Sequence, residues 1–405
     1  MNVFSAKFNR RLFFLILFSL STSLSIFTAP VDNRNYFLIG MMFIGPLIVL
    51  LSGRFLHKID IPIIALVVLI FCTQLFFNSS SFRASTVMFS CMFFFYFLAA
   101  VRVFISSKMR YVQLLAMLKW LIIAYCVVLI VQQLSFIVGL PIPNHIMGGE
   151  IGERFNALAA EPSHTTRFVG VLFYSYLIIA DRLSGQAVSM INSFRQNRLV
   201  WISALYVMIA SLSATGMFVL ALIMTKYISK KNCIIVAALL VAVFTIGVNS
   251  DFKPLHRSTV FLEAAVTGDY DKMIKADHSA SIRVVPVIMC IKRINVFSLR
   301  SWVGEGIDSV KSWFYMKGVK KGTAGGAMAS YTVEYGLLVA LLFLGFSFWC
   351  CFDPQHKLPT IGLWVLCVFM IGVNTQIGWL CILMLFIDKR YRVNNENKGF
   401  LQQAA

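Results

Sequence analysis

The sequence predicts an all-α polytopic membrane protein of about twelve transmembrane helices (roughly 10–12), with two large loops on one face. Three observations predict it. Hydrophobic residues make up 59% of the 405 positions and charged residues only 13%, more apolar surface than a soluble chain of this length hides. Apolar runs near the ~20 residues that a bilayer-crossing helix needs recur along most of the chain. The basic residues fall mainly on alternate connections between those runs, which is the pattern that orients membrane proteins.

Lys7, Arg10 and Arg11 precede an apolar run over 12–28. That arrangement has the form of a signal peptide, with SIFTAP as a cleavage region, but further apolar runs follow at once and an uncleaved first helix is expected. The remaining spans read at 36–51, 61–77, 86–105, 112–138, 166–181, 199–212, 215–228, 232–249, 331–352, 360–373 and 375–387. The chain divides accordingly into five N-terminal spans (1–138), a first outer loop (139–166), spans six to nine (167–249), a long outer loop (250–330), three last spans (331–388) and a tail (389–405).

With the N-terminus in the cytoplasm, the inner segments and adjoining span ends hold nineteen Lys or Arg, from Lys7 to Lys398. The short outer turns hold only Arg34 and Arg83. This asymmetry places both termini inside and both large loops outside, on the periplasmic face of an inner (cytoplasmic) membrane. Most of the +19 net charge is therefore an orientation signal and does not indicate a nucleic-acid partner. The nine Cys form no CxxC pair, so neither a metal site nor a disulfide framework is expected, and no cofactor. Away from the span ends Lys119 is the one clear ionisable residue within the apolar runs. Transporters usually carry several such residues, so the pattern counts against ion-coupled transport.

The first outer loop contains RFNALAAEPSHTTR, Arg154 to Arg167. Pro162 has the position of a first helical residue, with Glu161 just before it at the positive end of the helix dipole. Two readings of Glu161 stand side by side: a helix cap, or a carboxylate positioned as a general base. Arg154 and Arg167 flank it, as charges for lipid head groups or as a clamp for phosphate or pyrophosphate. His145 and His164 lie here too, without metal-ligand spacing.

Arg154, Ala157, Glu161, Pro162 and Ser163 form an Arg, a small apolar stretch and Glu-Pro-Ser leading into a span. This resembles the motif of the Wzy-type polymerases of O-antigen and exopolysaccharide. The second loop extends the resemblance. It holds twelve Lys or Arg against seven acids, an excess that suits an anionic ligand. Its segment Ser281–Arg293 predicts a helix lying at the lipid surface. Ser281 and Arg283, then Gly304-x-Gly306, then Glu334 and Gly336 at the head of a span, are similar to the second-loop pattern of these polymerases and of the related O-antigen ligases. Arg293 and Gly304 also fit an Arg-x10-Gly spacing found in some polymerases. On bare sequence, Gly-x-Gly more often marks a turn than a phosphate cradle. One departure favours polymerase over ligase: where ligases carry a His before the span, this chain has Gly325, Gly326 and Ala327, and His278 lies upstream of Arg283.

The resemblance implies a GT-C-like all-helical fold and a metal-independent glycosyltransferase that joins undecaprenyl-pyrophosphate-linked repeat units outside the membrane. Glu161, Arg154 and Arg283 are then the expected catalytic residues. Arg167, Arg293, His164, Gly304, Gly306 and Glu334 are expected to bind substrate. The implied partners are the lipid-linked glycan donor and acceptor, membrane lipids, a Wzz-like chain-length regulator and a Wzx-like flippase. An O-antigen ligase that transfers glycan to lipid A core, and a lipid-linked oligosaccharide flippase, are the alternatives.

Overall fold

A computed structural model describes residues 5–28, 35–52, 59–145, 155–185, 187–228, 253–276, 278–310, 326–371 and 374–403, with side-chain positions not described for parts of the helices near 253–282 and beyond 390. The described residues are helical, apart from turns and one isolated bridge pairing Thr28 with Asn35. The expected span at 232–249 and Arg154 lie outside the described residues.

Among the described residues, three helical stretches are long and apolar enough to cross a membrane: Asp60–Phe77, Ala84–Ser106 and Tyr111–Val138. Five further apolar helices among them are shorter. Several of the expected spans prove to be composite. The first stretch is helix α3 (Asp60–Cys72) continued by a π-helical turn, Thr73–Phe77. The run over 331–352 is a π turn, Tyr331–Tyr335, followed by a separate helix Leu337–Cys351. The run over 360–373 is a helix Lys357–Trp364 passing into a π turn at Val365–Phe369.

The preceding helices are α1 (Ala6–Ser21) and α2 (Tyr36–Leu51); α4 (Ala84–Ser106) and α5 (Tyr111–Val138) follow. A buried ion pair ties three of them together. Arg102 Nη2 on α4 lies 2.7 Å from Asp60 Oδ2 on α3, and Arg102 Nη1 donates to the Val49 carbonyl on α2. In an apolar interior such a pair persists because each charge has its partner.

Helix α6 (Pro162–Ser184) is the axis of the bundle. Every residue from Thr165 to Ile179 is buried, and a helix covered all round must be surrounded by others. Its neighbours are α5, α8 (Arg198–Ala210), α9 (Ala214–Met224) and the C-terminal helix Gln376–Gln403, with the short α7 (Met190–Gln196) packing on α8. Trp379 of the C-terminal helix is buried among Phe93, Phe94, Phe97 and Phe343, with the Phe94 and Trp379 rings 4.9 Å apart edge to face. At the opposite end of α6 from Pro162, Asp181 pairs with Lys226 at 2.7 Å and Ser175 donates to Asp388 at 2.9 Å.

Beyond α9 the long loop carries α10 (Lys253–Thr267), α11 (Tyr270–Ala276), α12 (His278–Arg293) and α13 (Leu299–Val303). It has two small cores, one of Phe261, Ala264, Met273 and Val285, the other of Cys290, Val310, Ala329 and Val333. The helix expected at Ser281–Arg293 is present, and part of its apolar face packs on protein. Val285 packs with Phe261, Ala264 and Met273 of the loop's own helices, and Cys290 with Val310, Ala329 and Val333. Periodicity alone does not distinguish a lipid partner from a protein partner, and here the protein supplies it.

The long loop returns to the bundle through a close backbone contact. Gly304 and Gly336 both have positive φ, +82° and +93°. A Cβ on Gly304 would lie 2.6 Å from the Gly336 nitrogen. A Cβ on Gly336 would collide with the Trp302 carbonyl. Glu305 N donates to Val333 O at 2.7 Å, and Gly306 N to Glu334 O at 3.2 Å. Substituting Gly336→Ala should therefore destabilise the protein by about 2 kcal/mol or more, since it adds φ strain to a steric clash. Thermal unfolding of the purified protein checks this, with Gly40→Ala, where a Cβ meets open space, as the neutral comparison.

Candidate functional site

The first large loop is held to the bundle by amide side chains. Gln132 on α5 donates to the Pro143 carbonyl and accepts from the Ala157 amide, each at 2.8 Å. Asn144 donates to the Ala157 carbonyl at 2.6 Å, and Asn156 to the Asn144 carbonyl at 2.9 Å. Ala157 sits at φ +46°, a conformation that costs a non-glycine residue of order 1–3 kcal/mol. The amide network holds it there and so fixes the approach to Glu161. Sequence reasoning singled out the charged residues and passed over these three amides. The sequence offered only a weak clue: Asn and Gln are well suited to satisfy buried turn backbone, but these three stand twelve residues apart and meet only in the folded chain.

Glu161 is the residue before α6, as expected, but its carboxylate makes no side-chain cap to the helix. It turns instead toward other side chains. Glu161 Oε1 accepts from Ser163 Oγ, from Arg283 Nη2 at 3.2 Å, and lies 3.1 Å from His164 Nε2. Arg283 Nη2 is also 3.2 Å from Ser163 Oγ. Arg283 reaches this point from α12, 122 residues further along the chain. Arg167 lies one turn beyond His164 on α6, only 2% exposed, and among the described residues its Nε and Nη1 have no hydrogen-bond partner. Ser281 Oγ and Tyr331 Oη are likewise buried without partners.

Electrostatics bind the group into one unit. Burial favours the protonated form of Glu161, but His164, the Ser163 hydrogen bond, Arg283 and Arg167 together hold its carboxyl below the ordinary value. Burial also disfavours charge on His164; Arg167 and Arg283 oppose it further, Glu161 only partly compensates, and its pKa falls to about 4. At neutral pH the site is thus a carboxylate, a neutral imidazole and two guanidinium groups.

The His164 shift has a measurable sign. Between about 4 and 6.5 the unfolded chain takes up a proton on His164 that the folded chain refuses. Stability from this group is complete above pH 6.5 and is lost as the pH falls toward about 4. Unfolding temperatures of the His164→Gln variant should fall less over that interval than those of the parent protein.

Of the residues expected at the site, Glu161, His164, Arg167 and Arg283 come together. Arg293, Gly304, Gly306 and Glu334 gather at a second place. Arg293 lines a cavity of about 210 Å³ with Arg300, Glu305 and Thr332. Gly304 and Gly306 dock the loop onto the Glu334 backbone, whose carbonyl also accepts from Gln74 at 2.8 Å. Arg283 and Arg293 are ten residues apart on α12, roughly 15 Å along its axis. Set against known proteins, the chain matches no family model, no curated protein and no solved structure.

Proposed function

We propose that the chain is a polysaccharide polymerase of the outer face of a bacterial inner membrane, a GT-C-like bundle of about twelve spans with both termini inside. It would join undecaprenyl-pyrophosphate-linked repeat units into O-antigen or exopolysaccharide. The observation that carries this reading is Arg167: a guanidinium 2% exposed, two of its nitrogens without a partner among the described residues, beside Arg283 and Glu161. A buried cation with unused donors is costly unless an anion completes it. Planar, doubly donating Arg side chains match pyrophosphate oxygens.

In the proposed reaction the acceptor hydroxyl attacks the anomeric carbon of the growing glycan. The new C–O bond forms as the bond to pyrophosphate breaks, and undecaprenyl pyrophosphate leaves with the electron pair. Arg167 and Arg283 balance the developing charge. Glu161 takes or directs the acceptor proton. His164, the Ser163 hydrogen bond, Arg283 and Arg167 together keep the basicity of Glu161 low before substrate arrives. An incoming pyrophosphate competes for Arg283 and releases the carboxylate, so basicity rises when substrate is present.

Deleting the gene and examining the glycans tests the reading. Lipid core bearing a single repeat unit is the expected result. Bare core with accumulated lipid-linked polymer would assign a ligase, and units retained inside the cell would assign a flippase.

A further inference from the structure

The turn between α12 and α13 exposes an unusual amount of apolar surface. Phe297 is 96% exposed and Leu299 68% exposed; Ile291 and Val296 are exposed as well. The turn is nonetheless well ordered by its own hydrogen bonds. Trp302 Nε1 donates to the Val296 carbonyl at 2.8 Å. Phe297 N donates to Asn295 Oδ1, and Ser298 N to the Asn295 carbonyl, both at 3.0 Å. With these backbone groups paired internally, the tip can leave water without stranding them.

Its position points to what covers it. Asn78 Nδ2 donates to the Val303 carbonyl at 3.3 Å, and a Cβ on Gly306 would fall against Ser81 and Asn78. Asn78 directly follows Phe76 and Phe77, 77% and 56% exposed at the end of an apolar stretch long enough to cross a bilayer. The apolar turn is thus fastened beside the end of a lipid-facing helix. Between Ile291 and Trp302 the charged residues are Lys292, Arg293 and Arg300, with no acid. Arg293 and Arg300 line the 210 Å³ cavity behind the turn, together with Asn295, Ser298, Ser301 and Glu305.

We propose that residues 294–302 form a membrane-dipping turn, whose Phe297 tip enters the outer leaflet and whose Arg293–Arg300 cavity receives the phosphodiester of an anionic phospholipid. The apolar tip supplies insertion. The two guanidinium groups supply preference for negative head groups. The same site fixes the long loop, and with it α12 and Arg283, at a set height over the bilayer. This inference rests on the outer-face placement of the long loop proposed above but not on the proposed reaction, and needs no activity to test.

The test is site-directed spin labelling of the full chain in lipid vesicles. A nitroxide is placed at Phe297→Cys and, for comparison, at Lys272→Cys on an exposed part of the same loop. The unsubstituted chain reports any labelling of native cysteines. In phosphatidylglycerol vesicles the label at 297 should collide several-fold more with oxygen than with a water-soluble nickel chelate, and the label at 272 should show the reverse. The immersion at 297 should lessen in phosphatidylcholine, and the Arg293→Gln/Arg300→Gln variant should lose that lipid dependence. Ready access of the nickel chelate to position 297 would overturn the proposal. So would exclusion of both reagents with spin–spin broadening, which would show a second copy covering the turn. Equal immersion in both lipids would overturn the anionic site.

Discussion

Arg167→Met should fold as well as the parent protein, or better, and make almost no long-chain glycan. Methionine fills much of the volume of the arginine stem and removes a buried charge whose Nε and Nη1 have no partner among the described residues. Replacing buried charge by apolar volume is often neutral or stabilising. If Arg167 had only a packing role, synthesis would survive with the fold. If it awaits pyrophosphate, losing a preorganised donor to the developing charge costs on the order of 10²–10³ in rate. Glycan ladders and unfolding temperatures, both at matched protein levels, give the two numbers. Arg167→Lys and Arg283→Lys should recover little, because a point charge does not reproduce the guanidinium fork. A full ladder from Arg167→Met would remove the pyrophosphate clamp from the argument.

The second large effect is expected at Glu161. Glu161→Gln keeps the size and hydrogen-bonding reach of the side chain and removes its charge and basicity. Loss of a positioned general base costs roughly 10²–10⁴ in rate. The helix itself should be little disturbed, since the Glu161 side chain does not cap it. Arg283 loses its 3.2 Å carboxylate partner in this variant. Substrate affinity should therefore hold or rise while turnover falls, a split that a merely structural role for Glu161 would not produce. Kinetics with a purified lipid-linked acceptor would separate the two. Parent-level turnover in Glu161→Gln would leave the carboxylate as a partner for Arg283 and nothing more.

Much of the first loop was legible in the sequence. Pro162 as first helical residue and Glu161 before it follow from local backbone rules, which need no tertiary information. The same residues left open where the Glu161 carboxylate points, because its partner Arg283 is 122 positions away and belongs to another helix. Apolar periodicity at Ser281–Arg293 gave the helix but not the protein partners that bury Val285 and Cys290. At Gly304 and Gly306 the turn reading agrees with the positive φ of both residues. Their purpose, a close backbone contact with Glu334 and Gly336, depends on a chain return that spacing does not encode. The apolar runs over 331–352 and 360–373 were read as uniform helix. Hydropathy is blind to the π turns that interrupt them.

The encasement of α6 has a consequence for the environment in which the protein works. Bilayers differ in thickness, and helices that face lipid answer a mismatch by tilting or by deforming the membrane around them. From Thr165 to Ile179, α6 has no such face, since other helices cover it on all sides. In the bilayer proposed above, the outer helices would absorb a change of thickness, and Arg167, on the shielded part of α6, with Glu161 and His164 at its entry, would keep their spacing. The chemistry is thereby insulated from lipid composition, and sensitivity to it is left to the loop that brings in Arg283.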